Sequence, residues 1–352
     1  MFRRVRTPSV LLRLLLRVAF VAAWMGCQAE APTAPPPPTL DQRHRTVAQE
    51  LDALIASLTD DGRYACCTTA PCKWCALRTA GCACGPGLQR GEPVCEECAL
   101  MWTKGMGNVE GVDPVFFDYD TPSRFGEALD GVSAVFYLSR SADARGGEVF
   151  KPFLAAAEAA GVEHIVAMSA QGIEHAPAEQ PLRAIELALE ASSVAHTFLR
   201  PTWFLQNFSS GFLLPGIKGD RGIFLPAGDG RAAFIDTRDI GAAVAASLLD
   251  AKHRGQTYTL TGPELFDHHQ VAALISKAAG RPVAYHISPD AAMREALKAG
   301  GFPEASLDYM SAIVGMLRDG LAAFVSPDLE ALVGRAPTST PAFIAEHAAS
   351  WR

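Results

Sequence analysis

Apolar positions along the chain alternate between short unbroken runs and helical stripes, most clearly between His164 and Phe208. His164-Ile-Val-Ala-Met168 and Thr197-Phe-Leu199 are short apolar runs that stop on small or polar residues, the pattern of parallel strands buried on both faces. Between them Leu182, Ile185 and Leu189 recur at i, i+3 and i+7, with Pro181 where a first helical turn tolerates proline. Strand, helix and strand at this spacing predict a βαβ unit of a doubly wound sheet, whose ligands sit at the carboxyl ends of the strands. Ser169, Gln171, Arg200, Pro201 and Thr202 all stand there. Downstream, Ala233–Ile235 reads as a strand running into the helix start Asp236-Thr-Arg-Asp239 and an Ala-rich helix to Leu249. Thr257–Leu260 reads as another strand, Asp267 caps a helix through Ala279, and Pro341–Trp351 forms a short closing helix. Far upstream, Val47, Leu51, Leu54, Ile55 and Leu58 make one apolar stripe over Asp41–Leu58.

At 352 residues, 49% hydrophobic and 20% charged, the chain is long enough for two domains and ordinary for a globular protein. A net charge of −7 argues against nucleic acid as a partner, because neutralising phosphates takes clustered Lys and Arg. All nine cysteines lie between Cys27 and Cys98, so cysteine usage divides the chain into two unlike parts. Residues 1–27 read as an export signal: Arg3, Arg4 and Arg6 open it, and Val18–Gly26 is an apolar run too short to span a membrane. Gly26-Cys27 resembles a bacterial lipoprotein processing site, with Cys27 acylated and the protein held on a membrane of the cell envelope. Plain secretion and an uncleaved anchor are the alternatives. Residues 28–41, with Pro35–Pro38, form an extended tether that cannot bury a core.

Residues 42–112 hold the helical stripe and a cysteine-rich module. Cys72/Cys75 and Cys95/Cys98 are two Cys-x-x-Cys pairs about twenty residues apart, the spacing of a zinc site. An exported domain would instead oxidise Cys66, Cys67, Cys72, Cys75, Cys82, Cys84, Cys95 and Cys98 to disulfides. A mixture, or a redox pair, is the third option. Trp74 and Trp102 are expected to pack its small core. Gly105-Met-Gly107-Asn-Val-Glu-Gly111 fails as a dinucleotide loop and reads as a linker, because no buried strand precedes it and Pro114 follows.

Met168-Ser-Ala-Gln-Gly172, Arg183 and Glu186, Phe198–Phe208, Gly228–Ile240 and Tyr258–Glu264 together resemble, in order, the NmrA-like branch of atypical short-chain dehydrogenases. The resemblance covers residues 113–352 and implies an α/β fold, a Rossmann-like parallel sheet with a small C-terminal cap from Val283 through the Met310–Leu317 helix. It assigns Val115–Asp118 to the family's third strand, Ser123–Leu129 to a helix and Ala134–Ser139 to the fourth strand. The family's first strand, glycine-rich loop and second strand have no counterpart upstream, so the sheet is expected to be truncated. Strand three would then pair with strand four or hang loose. Asp118, Ser139, Ser169, Ala170, Gln171, Pro201 and Thr202 are the positions implied to contact NAD(P). Ser169 and Arg183 are the catalytic candidates, since the usual Tyr-x-x-x-Lys is replaced by Leu182-Arg183-Ala-Ile-Glu186. Arg183 could clamp a phosphate or carboxylate, or lie solvated on its helix. Asp236 and Asp239 are implied to hold the fold, and Tyr309, Met310, Ile313 and Met316 face a pocket or simply the core, to which they are assigned. His268 and His269 lack a third ligand at helical spacing and are expected to be exposed. The resulting function is an NAD(P)(H)-binding oxidoreductase or cofactor sensor acting on a small molecule. Its rivals are a non-enzymatic envelope lipoprotein and a gene fusion across Gly105–Pro114.

Overall fold

The structure, a computed structural model, describes residues 39–66, 68, 82, 84–89, 101, 107, 115–140, 143–219, 222–299 and 301–352. The export segment with Cys27, the tether through residue 38, Cys67, Cys72, Cys75, Cys95, Cys98, Trp74, Trp102, Gly105 and Gly111 lie outside the described residues. The chain divides into two compact units, Met1–Leu54 and Ile55–Arg352. What is described of the first is the leading length of α1 (Leu40–Asp60). Thr39 and Gln42 start it with a reciprocal box: Gln42 N donates to Thr39 Oγ1 at 3.2 Å and Thr39 N to Gln42 Oε1 at 2.7 Å. On the predicted stripe Ile55 and Leu58 are buried, whereas Val47 and Leu54 are exposed.

In the second unit β1 (Ala134–Tyr137), β2 (His164–Met168), β3 (Ala195–Pro201) and β5 (Thr257–Leu260) make one parallel sheet in the order β1-β2-β3-β5. The unbroken apolar runs have a direct reason, because alternate residues face different helical layers. Ile165, Ala167 and Phe198 pack with Phe150 and Phe153 of α2 (Gly146–Ala160) and with Ile185 and Leu189 of α3 (Pro181–Glu190). Val166 and Leu199 face Ile240 and Ala243 of α4 (Thr237–Leu249) and Leu329. The α/β expectation holds. Gly147 lets α2 lie close on α3, since a Cβ there would stand 2.7 Å from the Ala184 Cβ.

A third core joins β4 (Ile223–Leu225) and β6 (Tyr285–Ile287), paired parallel, with α5 (His268–Ala279) and the C-terminal segment. Asp236 caps α4 by accepting from Arg238 N at 2.9 Å, and the buried Asp239 accepts from Thr338 N at 2.7 Å. Both acidic residues are therefore structural, as the family likeness implied.

Two strand expectations fail. Ala233–Ile235 is fully buried but forms no ladder; its segment holds only single bridges, Ala232 to Phe266 and Ile235 to Phe204. The Phe234 carbonyl is instead crowded by Gly262, where a Cβ would lie 2.0 Å from its oxygen. Val115–Asp118 carries one bridge, at Phe116, and is no strand. Phe117 nevertheless stacks on Phe125 (5.3 Å between centroids) and meets Phe153 edge-on (5.9 Å). Among the described residues β1 therefore ends the sheet.

Candidate functional site

Past their ladders, β2 and β3 stay hydrogen-bonded for another two or three residues. Ser169 N donates to Leu199 O (2.8 Å), Gln171 N to Pro201 O (3.0 Å) and Thr202 N to Leu260 O (3.0 Å). The backbone thus fixes Ser169, Gln171 and Thr202 side by side at the carboxyl edge. Ser169 and Thr202 are each 6% exposed, and Pro201 is buried beside them. Ser169 Oγ, Gln171 Oε1 and Thr202 Oγ1 are buried side-chain atoms with no hydrogen-bond partner. A buried polar atom left unpaired costs about 1–3 kcal/mol, so three within one strand-end cluster mark a place built for a polar ligand. Ala170 and Ser139 are half-buried at the same edge.

Arg183 is not a free clamp. Its Nη1 lies 2.9 Å from Glu186 Oε2 and 3.2 Å from Glu190 Oε1. Glu186 is fully buried and also takes two bonds from Arg200, Nε to Oε1 and Nη2 to Oε2, both 2.9 Å. Arg200 Nη1 reaches Glu174 at 3.1 Å. The run of charges fixes α3 against β3 and the loop after β2, so Arg183 stands here already paired with carboxylates. Asp118 likewise spends both oxygens locally: Oδ1 accepts from Asp120 N at 3.1 Å and Oδ2 from Thr121 Oγ1 at 2.7 Å.

The cap comes from α7 (Glu304–Arg318), which follows α6 (Asp290–Ala299). Its core face is Leu307, Val314 and Leu317, while Tyr309, Met310, Ile313 and Met316 are only half-buried, which corrects their assignment to the core. Gly172 turns the chain after β2 with φ +80°, and a Cβ there would meet the Met316 Cε at 3.0 Å. Tyr309, two turns earlier on the same face, hydrogen-bonds Gln180 at the start of α3, and burial raises its phenol above the usual range. The segment after α7 is tied back to the end of β5, where Ser326 N donates to Thr261 Oγ1 at 3.0 Å.

His268 and His269 part company. His269 is half exposed, but His268 is 1% exposed amid Phe208, Phe234 and Tyr285 at 5.8, 5.5 and 5.1 Å, contrary to expectation. Its position as the first residue of α5, right after the Asp267 cap, turns it inward. Cys66, Cys82 and Cys84 are the described cysteines, and Cys82 and Cys84 form no disulfide with one another. Burial pushes the Cys82 thiol up to about 12, so it is a poor ligand or nucleophile. Among the described residues no cluster of three or more His, Cys, Asp or Glu could hold a metal, so zinc gains no support.

A profile of the NmrA-like family matches residues 107–328. The chain belongs to the NmrA-like family. This NmrA-like chain is 30% identical over 250 residues to the NAD(P)H azoreductase of Xenophilus azovorans, an alignment covering 69% of it and 85% of the relative. It is 32% identical over 242 residues to a (4-alkanoyl-5-oxo-2,5-dihydrofuran-3-yl)methyl phosphate reductase of Streptomyces griseus, covering 68% and 84%. Among solved structures it is similar to an NADPH-dependent quinone oxidoreductase of Escherichia coli in complex with NADPH. The TM-score is 0.58 at 26% identity, over 71% of this chain and 86% of that one.

Proposed function

We propose that this NmrA-like chain is an NAD(P)H-dependent reductase of a small molecule, with the nicotinamide half of the cofactor seated at the carboxyl ends of β2 and β3. The observation that carries the reading is the trio of buried, unpartnered polar atoms on Ser169, Gln171 and Thr202. Their chemistry suits a carboxamide and a ribose: Gln171 Oε1 accepts, and the two hydroxyls both donate and accept. A bound NAD(P)H would supply the two electrons of the reduction. Arg183 and Glu186, standing where a Tyr-x-x-x-Lys pair would deliver a proton, are tied to each other, so the protein's part here is to bind and orient. Met316 and Tyr309 close the site from the C-terminal side and exclude water. The reductase names of the relatives favour this reading over a non-enzymatic envelope protein.

Titration with NADPH tests it. Saturable binding near micromolar, about −8 kcal/mol, is expected. The double change Ser169→Ala, Thr202→Val should weaken it roughly tenfold or more, the loss of two hydrogen bonds in a dry site. A cooperatively melting protein that binds neither NADPH nor NADH overturns the reading. We also propose that residues 1–27 direct export and that Cys27 carries a lipid, motivated by Arg3, Arg4 and Arg6 ahead of the Val18–Gly26 run. Metabolic labelling with palmitate, lost in Cys27→Ser, is the expected result; an unlabelled cytosolic protein sinks it.

A further inference from the structure

Two arginines beside the strand ends are gripped by a single exposed carboxylate. Arg140 leaves the sheet just after β1, and Arg145 immediately precedes α2. Asp120 takes a bidentate bond from Arg140, Nη1 to Oδ2 at 2.5 Å and Nη2 to Oδ1 at 3.1 Å, and a third bond from Arg145 Nη2 to Oδ1 at 3.1 Å. Asp143 braces the Arg140 guanidinium from the other side, taking Nε at 2.9 Å, and it holds the Arg145 backbone N–H at 2.9 Å while the Arg145 Nε lies 3.4 Å away. The two acids are not equivalent. Asp143 is 13% exposed and built in, whereas Asp120 is 50% exposed on the turn after Asp118. The Tyr119 ring lies 5.2 Å under the Arg140 guanidinium, and its hydroxyl donates to the Leu138 carbonyl at the end of β1. Arg140 is thereby held in place whether or not Asp120 is there.

A fork of two guanidiniums around one carboxylate is the arrangement that takes a phosphate, which brings more charge and a third oxygen. With Asp120 swung out, two guanidiniums and one carboxylate leave a net positive seat. We propose that Arg140 and Arg145 form a phosphate seat at the carboxyl edge of β1, and that the Asp120 carboxylate occupies it until a phosphate group displaces it. Register carries it toward the site: Tyr137 pairs with Ala167, so Ser139 and Arg140 emerge level with Ser169 and Ala170. The phosphate is that of a nucleotide cofactor, an assignment that rests on the reductase reading, or a free pyrophosphate of the same chemistry.

Calorimetric titration of inorganic pyrophosphate at low ionic strength, on the full chain and its variants, reads the seat without any cofactor. Wild type should bind weakly, Asp120→Asn roughly tenfold more tightly, and Arg145→Ala roughly tenfold more weakly. Arg145 is exposed, so unchanged melting curves should accompany the loss. NADPH affinities should follow the same order if the seat serves the cofactor. Equal pyrophosphate affinities in all three proteins, or weaker binding by Asp120→Asn, overturn the seat. If NADPH binds with no difference among variants, the reductase reading stands and the seat does not serve it. If pyrophosphate follows the order while NADPH never binds, the seat stands and the cofactor reading falls.

Discussion

His268 is the residue whose surroundings make the sharpest solution prediction. Burial among Phe208, Phe234 and Tyr285 pushes its pKa down from the usual 6.5 to about 4, against the pull of the Asp267 carboxylate. The folded state prefers the neutral ring and the unfolded chain the ordinary one. The stabilisation is complete above pH 6.5 and is lost as pH falls from 6.5 to 4, by up to about 3 kcal/mol. His268→Phe should keep the cage filled and flatten that part of the curve. Denaturant melts of both proteins at pH 7, 5.5 and 4.5 check this; parallel losses would mean that other groups carry the acid sensitivity. Glu186 is the other residue under load. Glu186→Ala would leave Arg200 with Glu174 and Arg183 with Glu190, and breaking a buried pair of this kind costs up to about 3–5 kcal/mol. Glu186→Gln, which keeps the shape and one accepting oxygen but turns an amide NH2 toward arginine donors, should cost less than the alanine, and its difference from wild type reports the charge together with the lost acceptor.

At the scale of elements, the sequence revealed the strands and missed their departures. The runs at 164–168 and 197–201 were legible because parallel strands clothed on both faces leave few polar positions. The α3 stripe was legible because it is buried on one side. Ala233–Ile235 was misread because complete burial makes a loop as apolar as a strand; only backbone partners distinguish them, and here they are single bridges. Gly262 was the available signal, being the residue that admits the Phe234 carbonyl. Gly262→Ala should push the end of β5 away from that segment and lower thermal stability by several degrees, whereas Gly241→Ala, with open space around its Cβ position, should not. A matched loss in both would mean that helix or loop propensity, rather than crowding, decides the outcome. Val115–Asp118 departed from the family pattern in its backbone alone: Phe117 still packs with Phe125 and Phe153, as a strand residue facing that helical layer would, but the segment carries a single bridge.

For the molecule as a whole, the carboxyl-edge placement of Ser169, Gln171 and Thr202 followed from the βαβ pattern alone. What the pattern could not supply was which side chains already had partners. Arg183 and Asp118 looked available in sequence and are engaged; Tyr309 and Met316 looked like core and face the loop after β2. Those assignments depend on contacts between segments far apart in the chain, such as α7 meeting Gly172, which no local periodicity encodes. The same long-range closure makes Trp351 a keystone of the third core: it is fully buried, and its indole Nε1 donates to Phe208 O at 2.7 Å across 143 positions. Trp351→Ala should cost about 3–5 kcal/mol, read as a lower denaturation midpoint.

Where α7 meets Gly172, the contact is made by the methyl end of a thioether. Peroxide would turn the Met316 sulfur into a sulfoxide, placing a polar oxygen one bond from the methyl that approaches Gly172. On the reductase reading proposed above, that oxidation is expected to weaken NADPH binding before the scaffold melts, and treatment with a methionine sulfoxide reductase should restore it.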